Sequence, residues 1–131
     1  MEYQITPLRQ EHAKGCYELQ HEEGLHFHGK DELHSQETWN FIASNMKDSW
    51  VCLHEDRVVA MIIGWITLVD EEEDENKDSL TYFTYDLCAT KDGMYPGAMK
   101  QLMTIVWAEH PYVTAWILSL IHISEPTRHL R

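Results

Sequence analysis

The residues with most chemistry to offer converge where an apolar run, Leu80 to Thr90 (LTYFTYDLCAT), enters the loop Lys91-Asp92-Gly93-Met94-Tyr95-Pro96-Gly97 and the amphipathic segment Ala98 to His110 begins. A strand that leads into a small-residue loop opening a helix aims several backbone N–H groups, and the positive end of a helix dipole, at one point. Such a point suits a phosphate or pyrophosphate, and a nucleotide-like cofactor is expected there. Gly and Pro before a helix also serve plain turn geometry, which is their commoner use.

Other clusters compete for attention. His21, Glu22, Glu23, His26, His28 and His34 crowd one stretch, and a His-x-His pair with carboxylates could hold zinc. Their spacing matches no standard metal motif, so solvated histidines and no metal site are expected. The run Asp70 to Asp78 (DEEEDENKD) carries seven carboxylates. It lacks the Gly-punctuated ligand spacing of a calcium loop and reads as a solvated connection that repels edge-to-edge pairing. Cys16, Cys52 and Cys88 are widely spaced within apolar patterns and read as buried thiols.

Composition bounds what the chain can do. At 131 residues it can hold one domain with a single core, and a hydrophobic content of 44% with five Trp fits a globular protein. A formal charge of −12 excludes a nucleic-acid backbone or an anionic membrane as partner and favours cationic ones. The opening MEYQITPLR has no signal-peptide organisation, and the longest apolar run, Val58 to Val69, is too short to span a bilayer. A cytoplasmic protein is the expectation.

The elements that must position the junction alternate. Tyr3 to Leu8 reads as a strand, Glu11 to His21 as a helix, Gly24 to Gly29 as a loop, and Ser35 as the N-cap of a second helix running to Lys47. That helix places Trp39, Ile42, Ala43 and Met46 on one face. Trp50 to His54, a turn at Glu55-Asp56-Arg57, and Val58 to Val69 read as a hairpin; Leu80 to Thr90 follows as a strand. In the third helix the rows Met99, Met103, Trp107 and Leu102, Ile105, Val106 are expected in the core, and Val113 to Ile117 is the last strand. The order β-α-α-β-β-β-α-β predicts an α/β fold, a mixed sheet flanked by helices.

The end of the chain reads differently. Leu118 to Arg128 (LSLIHISEPTR) resembles the one-frame translation of a transposase sequencing adapter, so residues 118–131 are expected to be adapter-derived and residues 1–117 to be a C-terminally truncated natural domain.

The order of elements, the opening ITPLRQEHAKGCYEL, the strand pair WVCLHEDRVVAMIIGWITL and the stretch DLCATKDGMYPGAMKQLM resemble the GCN5-related N-acetyltransferase superfamily; HEEGLHFHGKDEL resembles its phage- and prophage-associated branch. The resemblance implies a sheet that splays between its fourth and fifth strands, with the pantetheine arm of acetyl-CoA in the gap. It implies backbone bonds from Leu87, Cys88 and Ala89 to that arm, and a pyrophosphate cradle from Gly93, Met94, Tyr95, Gly97, Ala98 and Met99. It also sets the histidine-rich loop beside the acceptor cleft.

The chain departs from the family pattern in places. Aligned on Gly97, Met94 and Met99 stand where Gln or Arg and then Gly or Ala are usual. Pro96 donates no N–H. Thr84 stands where many members carry a carboxylate. Asp86 and Tyr82 share its face by the two-residue period, and either could relay a proton through water. The implied activity is transfer of an acetyl group from acetyl-CoA to a small-molecule or peptide primary amine by direct attack, with Cys88 a packed strand residue rather than an acyl carrier. A family Tyr serving as general acid would lie beyond residue 117, so the fragment is expected to be inactive. The rival reading is a non-catalytic phage structural or accessory protein of the same fold.

Overall fold

The computed structural model describes residues 1–21, 24–26, 33–70, 78–90 and 94–117. The elements in chain order are β1 (Gln4–Pro7), a 3-10 turn (Gln10–His12), α1 (Ala13–His21), β2 (Gly24–His26), α2 (Gln36–Asn45), β3 (Trp50–His54), β4 (Arg57–Asp70), β5 (Asp78–Thr90), α3 (Ala98–Glu109) and β6 (Ala115–Ile117). The sheet runs β1-β3-β4-β5-β2, and β6 also pairs with β5. All pairings are antiparallel except β5 with β6, which is parallel. The α/β mixed sheet expected from the sequence is therefore present.

Helices cover both faces of the sheet. Ala13, Cys16 and Leu19 of α1 and Trp39, Ile42 and Ala43 of α2 bury into one core with Val51, Leu53, Met61, Ile63 and Cys88. On the other face, Ala98, Leu102 and Val106 of α3 pack on Cys52, Val59, Ile62, Tyr82, Ala89 and Trp116. A strand covered twice cannot alternate polar with apolar, which is why β4 reads as an unbroken apolar run. Ser35 caps α2 as expected, its hydroxyl accepting from the Thr38 N–H at 3.2 Å.

Several details correct the sequence reading. Gly24 to His26, expected within a loop, forms β2 against Thr90, Ala89 and Cys88. A three-residue segment with no periodicity announces nothing; only the exposed edge of β5 makes it a strand. The β3–β4 turn is tighter than expected: Glu55 and Asp56 alone take positive φ (51° and 70°), and Arg57 already pairs with His54. In α3 the buried row is Ala98, Leu102 and Val106, with Met99 and Met103 packed beside it, while Trp107 and Ile105 are exposed. Asp70 and Asp78 stand opposite one another as the last rung between β4 and β5. Residues 71–77, most of the histidine-rich loop and residues 118–131 lie outside the described residues.

Candidate functional site

The site is built on a dislocation in β5. Ile63 stands opposite Asp86 and Gly64 opposite Thr84, so Tyr85 is an extra residue without a counterpart on β4. The bulge changes which face the strand presents. Tyr82, before it, belongs to the α3 core; Asp86, after it, pairs with Ile63 of the α1/α2 core and reaches Gln20 of α1. The shared face expected for Tyr82, Thr84 and Asp86 therefore does not exist, because the two-residue period is interrupted between them.

The two candidate proton carriers are consequently separate. Tyr82 is fully buried, its ring stacked on Trp116 with centroids 4.5 Å apart, and its hydroxyl donates to the Asp48 carbonyl at 2.7 Å. Burial, reinforced by Asp48, pushes that hydroxyl far above the ordinary phenol range. Asp86 is also buried, and its Oδ2 accepts from Gln20 Nε2 at 3.4 Å.

Gln20, which the sequence reading did not single out, links Asp86 to Trp39 and His34. Its Oε1 accepts from Trp39 Nε1 at 2.9 Å and from the His34 backbone N–H at 2.8 Å. The His34 carbonyl accepts from His21 Nε2 at 2.7 Å. The His34 ring lies parallel to the Tyr85 ring (5.7 Å, 18°), with Nε2 2.6 Å from the Tyr85 hydroxyl. The signal for Gln20 was readable: a polar residue on the buried stripe of α1 requires partners. Nothing local announced Tyr85, whose position follows from the bulge.

The expected cofactor residues fall on both faces of β5. Ala89 is buried and Leu87 half-buried in the α3 core, while Cys88 is buried among the α1/α2 residues. Burial first, then Asp86, pushes the Cys88 thiol well above its usual value, which suits a packing residue and not a nucleophile. On the β5 edge away from β4, β6 runs beside Thr81 to Phe83 and β2 beside Cys88 to Thr90. Among the described residues, no partner is recorded on that edge for Thr84 to Leu87. A ligand bonding the backbone at Cys88 or Ala89 from that side meets β2.

At the far end of β5 the chain turns into α3. Gly97 is the N-cap at φ +79°, a left-handed conformation that L side chains rarely adopt. The first intrahelical bond is from the Gln101 N–H to the Gly97 carbonyl (2.9 Å), so the N–H groups of Gly97, Met99 and Lys100 precede the ladder at the positive end of the helix. The Ala98 N–H closes the turn on the Tyr95 carbonyl at 3.2 Å, and its methyl is buried. Tyr3 donates to the Pro96 carbonyl at 2.7 Å, tying the loop to β1. The Arg57 guanidinium lies over the Tyr95 ring (5.6 Å) and brings a positive charge to the same end of the sheet. Met94 is exposed and Met99 half-buried; Gly93 lies outside the described residues. The described residues hold no group of three or more His, Cys, Asp or Glu placed to bind a metal, and no helix long and apolar enough to cross a membrane.

No protein-family model matches the chain, and no curated protein sequence does either. Solved structures do match. A diaminobutyrate acetyltransferase from Paenibacillus lautus, in complex with L-2,4-diaminobutyric acid and coenzyme A, superposes with a TM-score of 0.61 at 14% identity, over 88% of this chain and 63% of that one. The ribosomal-protein-S18-alanine N-acetyltransferase from Escherichia coli gives 0.62 at 11% identity, over 88% and 64%. A ribosomal-protein-alanine N-acetyltransferase from Brucella melitensis gives 0.63 at 11% identity, over 100% and 88%. The chain thus spans under two thirds of the first two. It shares the fold of these N-acetyltransferases.

Proposed function

We propose that residues 1–117 form an acetyltransferase domain of the GCN5-related kind, which passes an acetyl group from acetyl-CoA to a primary amine. The observation that carries the reading is the path of β5 within the shared acetyltransferase fold: paired with β6 at Thr81 to Phe83, it passes the Tyr85 bulge and leads toward the Gly97-capped N-terminus of α3. Coenzyme A is bound by the Paenibacillus lautus protein of the same fold. The α3 N-terminus would take the pyrophosphate, with N–H groups of Gly97, Met99 and Lys100 and the charge of Arg57 in support, and Gly93, Met94, Tyr95 and Ala98 would shape the loop. The backbone of Leu87, Cys88 and Ala89 would hold the pantetheine arm once β2, with three rungs among the described residues, yields its place. Acetyl-CoA supplies an activated acyl carbon; the protein supplies orientation and a route for the proton. A net charge of −12 favours a cationic acceptor.

Two observations favour the rival, a non-catalytic protein of this fold: β2 lies on the edge the cofactor needs, and Pro96 removes one N–H from the loop. Calorimetry with coenzyme A separates the readings. Binding that Gly97→Glu abolishes, through bulk and negative charge at the helix end, supports the transferase; no binding at millimolar coenzyme A supports the rival. In the complete protein, with a primary amine present, Asp86→Asn should lower turnover about 10²-fold while leaving coenzyme A affinity unchanged.

A further inference from the structure

Two strands share one edge of β5. On the side away from β4, β6 pairs in parallel with Thr81 to Phe83, and β2 pairs antiparallel further along, with Gly24 opposite Thr90, Leu25 opposite Ala89 and His26 opposite Cys88. The reading above needs the backbone of Leu87, Cys88 and Ala89 on that same side for the pantetheine arm. Two of those three residues already have a strand beside them. A paired strand lies about 4.8 Å away and takes the N–H and carbonyl groups that face it, so β2 and the amides of a pantetheine arm exclude one another.

The contact is short enough to be reversible. β2 has three rungs among the described residues, whereas β4 pairs with β5 from Ala60 opposite Ala89 to Asp70 opposite Asp78, so the body of the sheet does not depend on β2. The helix that precedes β2 is held independently, with Ala13, Cys16 and Leu19 of α1 buried in the core. Release of β2 therefore leaves α1 and the β1-β3-β4-β5 sheet in place. No rung of β2 is recorded beyond Thr90, and α3 begins at Ala98, so β2 opposes the pantetheine arm and not the pyrophosphate.

We propose that β2 is an autoinhibitory strap: paired with Cys88 to Thr90 it closes the β5 edge, and coenzyme A binds the state in which the strap is released. This rests on the acetyl-transfer reading and gives that site its regulation. Strap and cofactor are linked, each lowering the other's affinity for β5 by the same factor. A released state populated at about a tenth weakens the apparent affinity for coenzyme A about tenfold.

Calorimetry with coenzyme A and with adenosine diphosphate, which has a pyrophosphate and no pantetheine arm, tests the strap without any turnover. Directly opposite residues of an antiparallel pair alternate between bonded and non-bonded, so either Leu25, or Gly24 and His26, donate to β5. Leu25→Pro removes the N–H in the first case, and the double variant Gly24→Pro, His26→Pro removes both in the second. One of the two variants should bind coenzyme A about tenfold more tightly than the parent, with adenosine diphosphate affinity within about twofold. In the parent, added coenzyme A should speed amide exchange in β2 and leave that of β4 unchanged. Coenzyme A binding that neither variant tightens beyond about twofold, a gain that adenosine diphosphate shares equally, or β2 exchange unmoved by bound coenzyme A overturns the strap alone. No coenzyme A binding by the parent or by either variant overturns the acetyl-transfer reading and the strap with it.

Discussion

Gly64 sets the bulge, and replacing it with alanine tests that claim. A Cβ at position 64 would lie 2.4 Å from the Phe83 carbonyl oxygen and 2.4 Å from Tyr82 Cε1, with Cζ at 2.9 Å. Ordinary contact is about 3.5–4 Å, so roughly 1 Å of movement is needed against two neighbours at once. Neither yields easily. The carbonyl belongs to the sheet backbone, and the Tyr82 ring is held between its bond to Asp48 and its stack on Trp116. The Gly64 N–H and carbonyl are also tied to the Ser49 hydroxyl at 3.0 and 3.3 Å, which resists displacement of β4. Overpacking of a fixed core costs about 1–3 kcal/mol and sometimes more, and the lower chain entropy of alanine returns less than about 1 kcal/mol.

The expected loss for Gly64→Ala is therefore about 2–3 kcal/mol. Urea denaturation reads it as a fall of roughly 2–3 M in midpoint at unchanged slope, taking a slope near 1 kcal/mol/M for a small domain. In the complete protein, acetyl transfer should fall with it, since Asp86 owes its face to the dislocation. A variant within about 0.5 kcal/mol of the parent would show that the sheet accommodates a side chain there, and the argument that Gly64 fixes the bulge would be wrong.

Two further outcomes follow from buried titratable groups. Burial, outweighing the opposing pull of Glu11, lowers the His12 pKa, and its Nδ1 must be neutral to accept the Arg9 N–H at 3.0 Å. The folded state then binds fewer protons than the unfolded, so this contribution is whole above about pH 6.5 and is lost as pH falls through the lowered value. The melting temperature should drop over that window less in His12→Asn than in the parent, and equal slopes would refute the assignment. Burial raises the three thiols, Cys52 to about 12 and Cys16 and Cys88 further. The folded state keeps protons that the unfolded state loses, so stability should decline above about pH 9, and a thiol reagent at pH 8 should modify them only as fast as the domain opens. Fast stoichiometric labelling of the native protein would contradict their burial.

The fold was legible where the chain carries its own periodicity. The Ser35 cap, the Trp39, Ile42, Ala43 face and the double coverage of β4 all follow from residue type and spacing, because burial demands apolar groups at helix or strand intervals. The loop-to-helix junction was legible for the same reason: Gly97 takes a left-handed turn, and the helix begins where the loop ends. The face on which Asp86 lies was not, and one residue explains the failure. Extrapolating a period of two from Thr84 to Asp86 assumes an unbroken ladder. Where the ladder breaks is decided on the neighbouring strand, by Gly64, by Ser49 bracketing it, and by a Tyr82 ring that needs the missing side chain's space. None of these is local to the LTYFTYDLCAT run. The bulge moves Asp86 away from Tyr82 and into the company of Gln20 and His34, so three residues from separate elements meet where the sequence offered two on one strand. Strand pattern can locate such a site, but the residues that face into it depend on which neighbour lacks a side chain.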